Sequence, residues 1–261
     1  MNKKYNLKCI LLLFPSLIGI AIFYVVPYFR VIFYSFIDNQ FRKNFIGLKN
    51  YKLLLQNTYF QLAFKNSLLL ILIGVPTLVL SALLVAVLFL NMSRRWKRLR
   101  VSFVLPMLLP TSSVVIIWRV IFHGNETVLP IFLLFIWKNI GLAVILFCAA
   151  FSLLEPQVYE AAKLDGASGL RLHRNITMPL IMPTIFFVTL LGIVYSFKIF
   201  RESFLYFGTQ YPPDHSYTLQ YYMNNHFLKL NYQNLATAAI LTSILIYIIV
   251  FFGIKIQKRL A

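Results

Sequence analysis

The sequence predicts an all-α integral membrane protein with six transmembrane helices, and three observations lead to this prediction. The 261-residue chain is 60% hydrophobic and only 12% charged, a composition that ordinary soluble domains do not have. Six apolar stretches approach the ~20 residues needed to cross a bilayer. Most basic residues lie between those stretches. The predicted spans lie at about 9–29, 66–90, 101–122, 130–154, 180–200 and 235–254.

Prolines within these spans predict local kinks, because neighbouring helices in a membrane can satisfy the carbonyls that a proline leaves without a partner. Kinks are expected at Pro76, Pro106, Pro110 and Pro183. Residues 1–29 begin with basic residues, but their apolar run is longer than the core of a signal peptide. They are therefore predicted to be a retained first helix.

The distribution of charge predicts the orientation, since Lys and Arg favour the cytoplasmic side of short connections. With the N-terminus inside, more than half of the 25 Lys and Arg residues fall on inner segments, most densely at 94–100. This predicts a multi-pass protein of the bacterial cytoplasmic membrane with both termini in the cytoplasm. The net charge of +18 does not indicate nucleic-acid binding, because no soluble basic domain carries it.

Residue types that carry chemistry form no recognisable constellation. The sequence lacks the Gly-x4-Gly-Lys-Ser/Thr phosphate loop, its four histidines are scattered, and its seven acids form no paired site. The two cysteines lie in apolar spans with no metal-binding spacing. We therefore predict no catalytic residues, no cofactor and no metal. A glycine-rich channel filter is also missing, which argues against an ion channel.

One polar stretch, between the fourth and fifth predicted spans, carries most of the functional information. Pro156 suits the first turn of a helix, and Gly166 suits the left-handed position that ends one. A second short helix is expected from Ser168 to Asn175, capped by Ser168, with Pro179 opening the next span. The stretch is thus predicted to be a bent pair of helices at the membrane surface.

The first of these helices is too short to be stable alone in water, so it must pack against something. Its positions at i, i+3 and i+4 spacing define a face of small residues that permits close approach to a partner's groove. That predicted face consists of Val158, Ala161, Ala162 and Asp165.

The spacing of this stretch resembles the EAA coupling loop in permease subunits of bacterial binding-protein-dependent ABC importers. The family pattern is E-A-A, three residues, G, nine residues and I-x-L-P, and here Met178 replaces the usual Leu. An ordinary surface helix with a glycine stop is the plainer alternative, which the downstream spacing and the membrane context disfavour. The resemblance implies an ATPase-coupling role for Glu160, Ala161, Ala162, Asp165, Gly166, Ala167, Ile176 and Pro179.

Within that family the chain resembles the carbohydrate branch, the maltose and glycerol-3-phosphate type, over nearly its whole length. The similar segments are 45–51 (Phe-Ile-Gly-Leu-Lys-Asn-Tyr) with Phe60 and Asn66, 100–106 with Trp118-Arg119, and 137–141. The chain departs from the family in a short outer segment at 123–127 and in Thr209–Pro213, where T-x-G-G-P is usual. Both departures leave the particular sugar open.

The resemblance implies a type I ABC importer permease that forms a pathway for a sugar or oligosaccharide. Its implied partners are a second homologous permease, two cytoplasmic ATP-binding subunits that hydrolyse ATP, an extracytoplasmic sugar-binding protein and the lipid bilayer. A permease for glycerol-3-phosphate, a polyamine or another solute is the alternative. The implied division is 1–65 (first helix and outer loop), 66–254 (core, with the EAA loop at 155–179) and 255–261 (cytoplasmic tail).

Polar residues inside the spans are the candidates for lining the pathway, because an ionisable group in a membrane is costly and is commonly functional. Lys138 and Asn139 lie in the fourth span, and Tyr195 and Ser196 lie near the end of the fifth. Lys198, Arg201 and Glu202 follow where that span is expected to close. Lys138 could line the pathway or extend its ammonium group to the membrane surface, and the sequence leaves both open.

Overall fold

The computed structural model describes residues 3–90, 92, 101–164 and 169–260. These residues are mostly helical, and the β-structure among them is one antiparallel bridge between Ile37 and Phe45. This confirms the all-α prediction. The α-helices are α1 (Lys3–Ile20), α2 (Val26–Ser35), α3 (Lys49–Gln56), α4 (Thr58–Leu69), α5 (Val75–Leu90), α6 (Leu105–Leu108), α7 (Thr111–Ile121), α8 (Leu129–Ser152), α9 (Pro156–Leu164), α10 (Gly169–Leu172), α11 (Met178–Lys198), α12 (Phe200–Phe207), α13 (Leu219–Leu228) and α14 (Tyr232–Leu260).

Five helical segments within the described ranges are long and apolar enough to cross a bilayer, and a bent pair of helices adds a sixth if the pair forms one span. They follow the order of the six predicted spans, although several of their ends differ. The five are Leu12–Ser35, Thr58–Leu90, Leu129–Ser152, Arg174–Phe207 and Tyr232–Gln257, and the bent pair is Val101–Leu108 with Thr111–Ile121.

The third span bends at Pro110, where the sequence predicts a kink, and the bend is sharp enough to separate two helices, α6 and α7. The two helical parts differ in direction by 98°. Leu109 is extended, with ψ of 143°, as expected for a residue that precedes a proline. The carbonyl of Pro110 then accepts the first hydrogen bond of α7, from the backbone N–H of Val114 at 3.2 Å. The broken span leaves the start of α7 next to the core helices.

Among the described residues, three turns of π-helix interrupt the spans, and all three have the same physical cause. A proline lacks an N–H, and its ring clashes with the carbonyl four residues earlier, so a wider turn before it relieves the clash. Pro183, in contrast, lies inside α11. The π-helical turns are Ala21–Val25, Leu70–Gly74 and His173–Thr177, and they end immediately before Val26-Pro27, Val75-Pro76 and Met178-Pro179.

The chain forms two compact units, and the second contains Leu62–Tyr222 and Ile246–Ala261. In it, α5, α8 and α11 pack around buried side chains that include Leu78, Phe135 and Val144. A Cβ atom added at Gly141 of α8 would overlap the carbonyl of Phe103, so only glycine allows this close approach.

The other unit contains Met1–Gln61 and Met223–Leu245, and here the Gly-Leu-x-Asn-Tyr motif has a structural explanation. The Asn50 side-chain amide donates to the carbonyls of Ser35 and Ile37 at 3.0 and 2.9 Å. The hydroxyls of Ser35 and Tyr51 are 2.7 Å apart. The motif thus satisfies carbonyls where α2 ends. The three-part division expected from the sequence stays a prediction.

Candidate functional site

A polar cavity of about 200 Å³ lies among the membrane-length helices of the second unit. It is bounded by residues of α6, α8, α11 and α12 and of the junction between the last two. Three of the four candidate pathway residues line it, and their lining of a transport pathway stays a prediction. The full lining is Met107, Lys138, Asn139, Tyr195, Lys198, Ile199 and Glu202.

Lys138 is held inside the protein by two partners. Its Nζ atom forms an ion pair with the Glu202 carboxylate and donates to the Thr111 hydroxyl at 2.9 Å. The Lys138 and Glu202 side chains are only 14% and 8% exposed. A lone buried ammonium group would be costly in a membrane-length helix, and the carboxylate offsets that cost. Between the two alternatives for Lys138, the structure shows burial on the cavity wall rather than extension to the surface.

Glu202 stands in the sequence among the polar residues expected to close the fifth span, but it is not one of the predicted pathway-lining residues. The fifth span was expected to end near residue 200, but the helical segment continues through α12 to Phe207. Glu202 thus lies within the continuing helical segment, in α12, instead of after its end. Its place in the first turn of α12 suits a carboxylate, because helix N-termini favour negative charge. An isolated acid beside a long apolar run was the available signal in the sequence.

The remaining polar residues near the cavity differ in how they are held. The Lys198 ammonium group lies 5.7 Å from the centroid of the Tyr195 ring, within cation–π range. The Asn139 amide donates to the Phe135 carbonyl of its own helix at 2.7 Å. Ser196 is buried, and its hydroxyl donates to the Ile193 carbonyl. Ser196 therefore lies in the protein interior, hydrogen-bonded to its own helix, and does not line this cavity.

The predicted coupling segment forms its first short helix as expected, with α9 beginning at Pro156. The second helix differs from the prediction. It begins at Gly169, which has a φ of +53°, and runs through the π-helical turn into α11 without a separate end near Asn175. The π-helical turn before Met178-Pro179 explains this continuity. Of the motif residues, Asp165, Gly166 and Ala167 lie outside the described residues.

The described face of α9 only partly matches the predicted one. Ala162 is buried, at 7% exposure, and so packs against its own chain instead of facing outward. Glu160 and Ala161 are exposed, and Leu164 is 89% exposed. Ile176 is half-buried, and Thr177, just before Pro179, is buried. The loop therefore presents both apolar and acidic groups to a potential partner.

Apolar membrane-length helices joined by short connections such as α9 indicate a multi-pass membrane protein. The family profile described as "Binding-protein-dependent transport system inner membrane component" matches residues 71–261. The chain belongs to this family.

Relatives and a solved structure support the same assignment. The arabinooligosaccharides transport system permease protein AraP of Bacillus subtilis is 27% identical over 281 residues, covering 93% of this chain and 86% of AraP. The sulfoquinovosyl glycerol transport system permease protein SmoG of Agrobacterium fabrum is 27% identical over 258 residues, covering 87% and 83%. A crystal structure of a bacterial ABC transporter involved in alginate import shares the fold, with a TM-score of 0.76, 22% identity and coverage of 98% and 96%.

Proposed function

We propose that this chain is the membrane-spanning permease subunit of an ATP-driven importer of the carbohydrate type. Together with a second, homologous permease it would form the pathway for a sugar or oligosaccharide delivered by an extracytoplasmic binding protein. Two relatives named for sugar-containing solutes, AraP and SmoG, support this substrate class. A permease for glycerol-3-phosphate, a polyamine or another solute is the alternative.

The polar cavity is the observation that carries this proposal. Its lining offers a carboxylate, an amide, an ammonium group and an aromatic ring within otherwise apolar spans. Sugars bind through hydrogen bonds to such polar groups and through contact with aromatic faces. Lys138, Asn139 and Tyr195 are therefore proposed to line the pathway.

The exposed helix α9 is proposed to transmit movement from two separate ATP-binding subunits. This chain has no phosphate-binding loop, so ATP hydrolysis is assigned to those partners. Leu164 and Ala161 offer apolar contact, and Glu160 offers a charge for a basic partner group. Closure of the ATP-binding pair would then move the spans as rigid bodies and switch access.

Both termini are proposed to be cytoplasmic, which would place α9 on the same side as the ATP-binding subunits. Reporter fusions after Asn57 and after Lys163 test this orientation. The Asn57 fusion should report an external location, and the Lys163 fusion should report the cytoplasm. A Lys163 fusion that reports the outside would contradict both the orientation and the coupling role.

Transport itself is tested in proteoliposomes that contain this subunit with its partner permease, the ATP-binding subunits and the binding protein. We expect ATP-dependent uptake of a radiolabelled neutral oligosaccharide such as arabinotriose. Spermidine and glycerol-3-phosphate are the comparison solutes. Preferential uptake of either would favour the alternative, and uptake by this subunit alone would contradict a pathway shared with a second permease.

A further inference from the structure

We propose that Lys138 and Glu202 are positioning residues that lock α7, α8 and α12 together beside the cavity in the resting arrangement of the transporter. Thr111 completes this lock as its third member. The inference rests on the proposed function for its transport readout, whereas the lock itself follows from the contacts described above.

The lock joins helices from separate parts of the second unit. Lys138 lies on α8, Glu202 in the first turn of α12, and Thr111 at the first residue of α7, directly after the break at Pro110. One ammonium group contacts both partners. The direction that α7 takes after the broken span is therefore tied, through Lys138, to the two helices on the cavity wall.

The cavity beside the pair distinguishes a lock from a permanent structural cross-link. Packed cores change between discrete arrangements, so a lock needs a second arrangement in which its charges are also compensated. Lys198 lines the same cavity as Glu202, lies four residues before it, and is exposed. It offers a second cation to the Glu202 carboxylate when the helices shift. Polar groups of a solute could then compensate Lys138.

Removing both charges together tests the lock without leaving a buried charge unpaired. Replacing a buried ion pair by apolar residues of similar volume is commonly neutral or stabilising. We therefore expect the Lys138→Met/Glu202→Leu variant to insert normally. Losing an interaction of one or two kcal/mol changes an equilibrium about 5–30-fold, so ATP hydrolysis without loaded binding protein should rise about fivefold or more. Stimulation by arabinotriose-loaded binding protein should fall correspondingly.

Two further variants separate locking from folding. The charge swap Lys138→Glu/Glu202→Lys should return basal hydrolysis toward the unmodified value. Thr111→Val should raise basal hydrolysis by a smaller factor. Its matched control is Thr189→Val, which removes a hydroxyl that donates to the Ile185 carbonyl of its own helix and should leave basal hydrolysis unchanged.

The outcomes are distinguishable. An inserted Lys138→Met/Glu202→Leu variant with unmodified basal and stimulated hydrolysis would show that the pair is only a structural cross-link. If that variant fails to insert, Thr111→Val decides: basal hydrolysis equal to that of Thr189→Val overturns the lock. The Lys138→Met/Glu202→Leu variant could raise basal hydrolysis while the unmodified complex takes up no arabinotriose. That pair of results would keep the lock and overturn the sugar assignment alone.

Discussion

The cavity wall and the proposed coupling loop, which contains α9, show opposite departures from ordinary burial. At the cavity wall, charged groups are buried: the side chains of Lys138 and Glu202 are 14% and 8% exposed. In the coupling loop, an apolar group is exposed: Leu164 is 89% exposed. In a membrane protein many apolar side chains face lipid, so exposure by itself carries little information there. Buried charge within the spans, and apolar exposure on the connecting loop, are the informative observations.

The two regions also differ in whether the groups that contact them lie within this chain. The cavity charges are compensated within this chain, because Lys138 has its partners on α12 and α7. The apolar surface of α9 has no comparable cover among the described residues, and we propose that another subunit covers it. Changes at the cavity wall should therefore affect folding of the chain, whereas changes on α9 should affect assembly and coupling.

The largest effect is expected from breaking only one side of the ion pair. Glu202→Leu leaves the Lys138 ammonium group buried without a carboxylate, which should cost about 3–5 kcal/mol of stability. Thermal unfolding in detergent and the membrane-inserted fraction measure this loss. The Lys138→Met/Glu202→Leu variant is the control and should recover most of it. Equal stability of the single and double variants would mean that the pair is not effectively buried.

A smaller effect, and one confined to assembly, is expected at Leu164. Burying a leucine side chain contributes about 1.5–3 kcal/mol, so Leu164→Lys should weaken binding of the ATP-binding subunits tenfold or more. Stability of the chain should change by no more than about 0.5 kcal/mol. Affinity is measured by titrating purified ATP-binding subunit against the inserted permease. The control is Leu48→Lys, an exposed leucine outside the spans. Equal loss in both variants would argue against a docking role for α9.

The start of α10 should be sensitive to backbone conformation. Gly169 has a φ of +53°, and a Cβ added there would meet no neighbouring atom. Gly169→Ala should therefore act through backbone strain alone, of about 1 kcal/mol, and reduce coupled transport about fivefold. Gly19→Ala is the control, since Gly19 lies in α1 with open space around it and no positive φ. Normal transport in Gly169→Ala would show that the backbone conformation of this turn does not determine the direction of α10.

The smallest effect is expected at Glu160, which is exposed. Exposed ion pairs contribute about 0.2–1 kcal/mol, so Glu160→Lys should weaken ATPase association only about two- to fivefold. The difference from the unmodified chain should shrink as ionic strength rises, because salt screens exposed charges. A loss that is independent of salt would indicate contact by shape instead of charge.

The sequence alone determined the all-α membrane class, the order of the apolar spans, and the position of the short helix at Pro156. These follow from apolar run length and from the fixed φ of proline, which are local properties of the chain. The sequence also selected Lys138, because an ionisable residue within an apolar run is conspicuous.

The tertiary structure decided which of these polar residues meet. Whether Lys138 reaches the surface or a partner depends on the side chains that α12 and α7 bring near it, at sequence separations of 64 and 27 residues. The same dependence explains why Glu202 was predicted only to close the fifth span and not to line the pathway, since its helix continues beyond the apolar run. It also explains Ser196 and Ala162, which were themselves selected from the sequence but face the protein interior. Apolar periodicity cannot assign these faces, since lipid and protein core accept the same side chains.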